Sequence, residues 1–139
     1  NNQTLLGVIT RRAVMDRMSK EQLSGLPTFS EQISQKVVLQ ANHFELTVEP
    51  SMLEKSGVLS NGVLTEVLTT VTRQLMMNSG KNLIIEQLLV YYLQAVQVDD
   101  TLRIETRIVR QTRRSAIIDF DLYLNLQLVT KATVTLKIN

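Results

Sequence analysis

Gly57-Val58-Leu59-Ser60-Asn61-Gly62 sets two glycines around the entrance of a long apolar-striped segment. Glycine lets a ligand or another backbone come close. The free amides of a helix start favour an anion or a polarised carbonyl oxygen. A plain turn followed by an N-cap at Ser60 or Asn61 accounts for the same residues. Arg110, Arg113 and Arg114 are bunched in the sequence Arg110-Gln111-Thr112-Arg113-Arg114. A guanidinium matches phosphate geometry, while a basic strand end also discourages edge-to-edge pairing. Glu66 is a carboxylate on the striped segment, of the kind that serves as base or nucleophile. Sharing a polar face with Arg73, it equally reads as a solvated surface acid. The single histidine, His43, has no evident partner and reads as a surface residue.

The chemistry open to the chain is further narrowed by composition. The 139 residues suit one domain with a real core. There are no cysteines and one histidine, which excludes disulfides, thiolate nucleophiles and multi-histidine metal sites. No metal is expected. A net charge of +2 gives no strong field for nucleic acid, and no aromatic residues interleave with the arginines to stack on bases. No apolar run approaches the ~20 residues of a membrane span, and no secretory leader is visible. The expected setting is cytoplasmic, without membrane or nucleic-acid partners. A chain that begins at Asn1 reads as a piece of something longer.

These groups must be positioned by elements that the patterning announces. Val63, Leu64, Val67, Leu68, Val71 and Leu75 recur at helical spacing and predict one long amphipathic helix, with Gly80 at its stop. Phe44-Glu45-Leu46-Thr47-Val48 alternates as a half-buried strand and is closed by Pro50. Leu83 to Val96 reads as one long strand, buried on both faces in places. Alternation over 102–108, 116–124 and 126–138, with a turn at Asp99-Asp100, predicts an antiparallel meander. Its apolar face must cover the helix stripe. Residues 1–25 read as a strand–helix tail, 26–36 as a polar linker and 37–139 as the main domain.

The tail Gly7-Val8-Ile9-Thr10-Arg11-Arg12-Ala13-Val14 resembles the closing strand and helix of a cystathionine-β-synthase-type (CBS) domain. There the resemblance implies an aspartate on a nucleotide ribose, a contact Ala13 cannot make. The succession over 37–139 resembles the hotdog fold, an α+β arrangement in which a curved antiparallel sheet wraps around one long central helix. Gly57-Val58-Leu59-Ser60-Asn61-Gly62-Val63-Leu64 resembles the helix entrance of its acyl-CoA thioesterases. Leu89 to Leu102, Thr112-Arg113-Arg114-Ser115 and Leu128-Val129-Thr130-Lys131-Ala132 resemble its later strands.

That resemblance implies that Asn61 and Gly62 meet the thioester, with the Gly62 N–H on its carbonyl oxygen. It implies that Arg110, Arg113 and Arg114 lie near the phosphates of coenzyme A (CoA). It also implies a homodimer, with sites at the interface. Ser60 stands where the family has histidine, and Thr69 where it has the catalytic acid. The catalytic candidates are therefore Thr69, which lacks the basicity of a carboxylate, and Glu66 about one turn earlier. The expected function is an acyl-CoA-binding, regulatory module with no cofactor beyond the CoA thioester as ligand. The alternatives are an active acyl-CoA thioesterase and a dimerisation module without ligand.

Overall fold

The computed structural model describes residues 25–77 and 82–139. The expected tail over 1–25 and the helix stop at Gly80 lie almost wholly or wholly outside the described residues. In chain order the elements are α1 (Phe29–Lys36), β1 (Val37–Gln40), β2 (His43–Thr47), a 3-10 turn (Pro50–Met52), α2 (Asn61–Leu75), β3 (Leu83–Tyr92), β4 (Thr101–Gln111), β5 (Ser115–Leu124) and β6 (Gln127–Ile138). The six strands form one antiparallel sheet in the order β1-β2-β4-β5-β6-β3. This is a hotdog-like architecture. The expected β4-β5-β6 meander is its middle, and β3 crosses to the far edge beside β6.

The helix stripe is buried as its spacing requires. Val63, Leu64, Val67, Leu68 and Val71 share one core with Leu46, Leu102, Ile104, Ile118, Phe120, Leu122, Val134 and Leu136. Phe120 is fully buried at the centre of β5, where truncation to alanine costs about 3–5 kcal/mol. Alternation holds strictly along β5 and fails in β4 after Thr106, where Ile108 and Val109 are exposed. Leu126 is fully exposed in the β5–β6 turn rather than being part of the apolar face.

Three expectations need correction. The stretch read as a linker carries α1, so the described residues hold two α-helices rather than one. Its cause is a capping box: the Glu31 N–H donates to Thr28 Oγ1 at 3.1 Å, and the Glu31 side chain reaches back to the Thr28 N–H. Buried Ile33 fixes α1 to the core, and the Arg73 guanidinium donates to Ser30 Oγ. The expected strand Leu83–Val96 ends at Tyr92 and has no fully buried residue, because β3 is an edge strand. A bulge between Ile85 and Gln87 brings Leu83, Ile85, Leu88 and Val90 to the core side and leaves Ile84, Leu89 and Tyr91 facing out. His43 starts β2 and is not a free surface residue. Its Nε2 lies 2.9 Å from Glu45 Oε2, two positions along on the same strand face.

Candidate functional site

A cleft of about 400 Å³ opens at the N-terminus of α2. Val58, Leu59, Asn61 and Leu64 form one wall, Tyr92 to Val96 the other, and Thr130 of β6 closes it. The walls are tied together by backbone. Leu59 N–H donates to Val96 O at 2.8 Å, Val58 bridges Gln97, and both Leu93 and Gln94 N–H donate to Val129 O. Buried Val96 and Thr130 form the floor. Past Tyr92 the Leu93 and Gln94 amides share one carbonyl of β6, Val129 O, and the Val96 carbonyl turns to the Leu59 N–H of the loop before α2.

The loop before α2 is a small hairpin. Gly57 N–H closes a turn on Glu54 O, Glu54 N–H donates to Val58 O, and Leu53 bridges Leu59. Gly57 has φ +88°, so a side chain there is strained. The turn returns the Glu54 carboxylate to the helix start, where Oε1 accepts from the Asn61 N–H at 3.5 Å. Glu54 is also near enough for its charge to be felt by Tyr92 of the cleft wall. Burial and, after it, the Glu54 charge raise the Tyr92 phenol above its ordinary value. Sequence reasoning missed Glu54. The readable signal was a carboxylate three residues before a turn glycine.

The residues singled out in the sequence separate into distinct places. Asn61 lines the cleft and Gly62 follows it in the first turn. The Gly62 N–H is already engaged: it donates to Ser60 Oγ at 3.2 Å, which makes Ser60 the N-cap. Gly62 is not demanded by the backbone, since an added Cβ meets only Ser60 Oγ at 3.6 Å. Glu66 and Thr69 are not among the cleft-lining residues. The Thr69 hydroxyl donates to Thr65 O at 2.9 Å. Glu66 has one carboxylate oxygen buried without a partner among the described residues, as has the hydroxyl of Thr70 one turn on.

Arg113 and Arg114 lie elsewhere. With Lys137, Ile138 and Asn139 they line a basic pocket of about 480 Å³ at the opposite end of the sheet. Arg110 is not with them. It pairs with Ile117, between buried Ala116 and Ile118, and so stands on the face away from α2. The bulge between Ile108 and Arg110 sets that orientation.

A thioesterase superfamily model matches residues 56–125, which spans the turn glycine, α2 and strands β3 to β5. The chain belongs to the thioesterase superfamily. Solved structures of this superfamily share the hotdog fold. A hypothetical thioesterase from Streptococcus pneumoniae, with coenzyme A, superposes with TM-score 0.66 at 23% identity, over 74% of this chain and 84% of that one. A Streptococcus mutans protein bound to acetyl CoA gives 0.66 at 23%, over 75% and 87%. Zebra fish thioesterase superfamily member 2 gives 0.73 at 20%, over 85% and 91%. The Bacillus subtilis protein YtoI is 22% identical over 148 residues, covering 99% of this chain and 33% of its own length. The chain thus spans about a third of that curated relative.

Proposed function

We propose that this hotdog domain binds an acyl-CoA, with the thioester in the cleft at the α2 N-terminus, and acts as a ligand-sensing module rather than as a hydrolase. The cleft carries the reading: an apolar-walled cavity of about 400 Å³ with a helix-start residue, Asn61, in its wall. Related folds that hold coenzyme A and acetyl CoA support the ligand class. A sensing role is supported by the chemistry of the helix, whose acid position is Thr69, its hydroxyl committed to Thr65 O. A regulatory use also suits the CBS-like tail that the sequence suggests upstream.

The chain acts in this reading as a homodimer about the β3 edge. That strand is ten residues long, lies at a sheet edge and leaves Ile84, Leu89 and Tyr91 about half exposed. A long apolar edge of this kind invites a second copy.

One observation favours hydrolysis as a second reading. The Glu54 carboxylate accepts from the backbone amide of cleft-lining Asn61 at 3.5 Å. In this second reading Glu54 takes a proton from water as the water oxygen attacks the thioester carbon. The C–S bond then breaks, and the thiolate leaves and takes up a proton. A ligand-free dimerisation module is disfavoured, because the cleft is open and not packed shut.

Melting temperature measured with acetyl-CoA and longer acyl-CoA esters tests the first reading. A ligand that binds only the native state raises it, by an amount that grows with ligand concentration. No shift with any ester overturns it.

A further inference from the structure

The cleft at the α2 N-terminus holds a hydroxyl in its depth. Asn61, Tyr92, Leu93, Gln94 and Ala95 line it at exposed positions and so form its mouth. Leu59, Leu64, Val96 and Thr130 line it at buried positions. The first three of these are aliphatic. Thr130, only 3% exposed, sets a hydroxyl among them.

Strand β6 fixes that placement. Thr130 shares the core face with buried Ala132, Val134 and Leu136, and its partner across the ladder is fully buried Leu122. A valine would fill the same space and suit a strand equally well, so packing does not call for an oxygen here. The described residues hold three buried polar side chains, Thr70, Thr72 and Thr130. The Thr72 hydroxyl donates to Leu68 O at 2.8 Å. That of Thr70 is sealed from solvent without a partner. The Thr130 hydroxyl likewise has no hydrogen-bond partner among the described residues, but it is not sealed, and the cavity that it borders is the cleft.

A buried hydroxyl left dry costs more than a satisfied one gains over water. A plain hydrocarbon tail lying on Leu59, Leu64 and Val96 drives water from Thr130 and puts no hydrogen-bonding atom in its place. An oxygen on the tail replaces that water, and a threonine hydroxyl can either donate to it or accept from it. Exposed Asn61 and Gln94 discriminate little in this way, because solvent satisfies them whichever tail is bound.

Resting on the acyl-CoA reading above, we infer that the ligand's acyl chain is oxygenated: it carries a hydroxyl or keto oxygen beyond the thioester, and Thr130 is the residue that recognises it. The thioester stays at the mouth beside Asn61, and the tail runs inward past Leu64 to Thr130. The ligand class is then a hydroxyacyl- or oxoacyl-CoA rather than a simple fatty acyl-CoA.

Calorimetry with butyryl-CoA, its 2-, 3- and 4-hydroxy derivatives and acetoacetyl-CoA tests this. All five esters share one carbon chain length, so the added oxygen is the variable. Wild type is expected to bind at least one oxygenated ester about tenfold more tightly than butyryl-CoA, as one well-made hydrogen bond allows. Thr130→Val keeps the shape and removes the oxygen. It is expected to lose that preference while binding butyryl-CoA at least as tightly as wild type does. A purely structural role for Thr130 would instead weaken every ester together and leave the preference in place. Thr130→Ser keeps a hydroxyl and is expected to keep the preference. Wild type that binds butyryl-CoA as tightly as every oxygenated ester overturns the inference. So does a preference that survives in Thr130→Val. Wild type that binds none of the five overturns the acyl-CoA reading itself, which separates the two failures.

Discussion

The Gly62 N–H donates to Ser60 Oγ at 3.2 Å, so the amide assigned to a thioester carbonyl already has an acceptor. In the proposed site, ligand and N-cap compete for one donor. Ser60→Gly removes the acceptor while keeping a residue tolerated at an N-cap, at a cost of only a few tenths of a kcal/mol in stability. Acetyl-CoA affinity is expected to rise a few fold, the worth of about one hydrogen bond. Calorimetry checks this. A fall in affinity would make the Ser60 hydroxyl a ligand contact rather than a competitor.

Glu54 decides between binding and hydrolysis. The test is free-thiol release from acetyl-CoA and longer esters. The expected outcome is no release above the buffer rate. Release that drops about a hundredfold or more in Glu54→Gln but persists in Glu66→Gln makes the chain a hydrolase with Glu54 as its base. Release lost in Glu66→Gln instead returns that role to the helix acid.

The outer sheet face supplies an acid-dependent share of stability. Thr133 Oγ1 donates to Asp119 Oδ1 at 2.8 Å, and the Arg107 guanidinium donates to Oδ2 at 2.9 Å. The Thr133 bond first, and the Arg107 bond after it, hold the carboxyl below its ordinary 3.8, while burial opposes them. A lowered folded value means that the unfolded chain protonates first. The contribution is therefore whole above about 3.8 and fades as pH falls through that value toward the lower folded one. Thr133→Val is expected to cost about 1 kcal/mol at neutral pH. Its deficit relative to wild type is expected to shrink once Asp119 is protonated. Urea unfolding at a series of pH values measures both. A deficit constant with pH would mean that the substitution acts through packing alone.

How far the sequence could be read follows from the size of each signal. Helix α2 is legible because its apolar residues repeat over four turns, and β5 because Ala116, Ile118, Phe120 and Leu122 alternate without a break. Helix α1 has eight residues and one buried apolar position, Ile33, too little for any period to show. Its capping box, Thr28 with Glu31, was the available sign. Strand β3 misleads because an apolar run looks buried, whereas here half of it faces out at an edge.

The candidate site could be read only in part, for similar reasons. Asn61 follows from the helix entrance. Glu54 lies seven residues earlier and reaches it only through the Gly57 turn. The three arginines look like one cluster in the sequence, but a bulge turns Arg110 to the outer face and leaves Arg113 and Arg114 with Lys137.

The cleft itself is tested most directly by filling it. Acetyl-CoA is titrated calorimetrically into wild type and into Ala95→Trp, whose changed side chain lies at an exposed position in the cleft wall. The melting temperature without ligand is recorded for both. The predicted result is saturable binding by wild type and none by Ala95→Trp, with the ligand-free melting temperature unchanged. Equal binding by the two proteins would place the ligand somewhere other than the α2 N-terminus and contradict the proposed site.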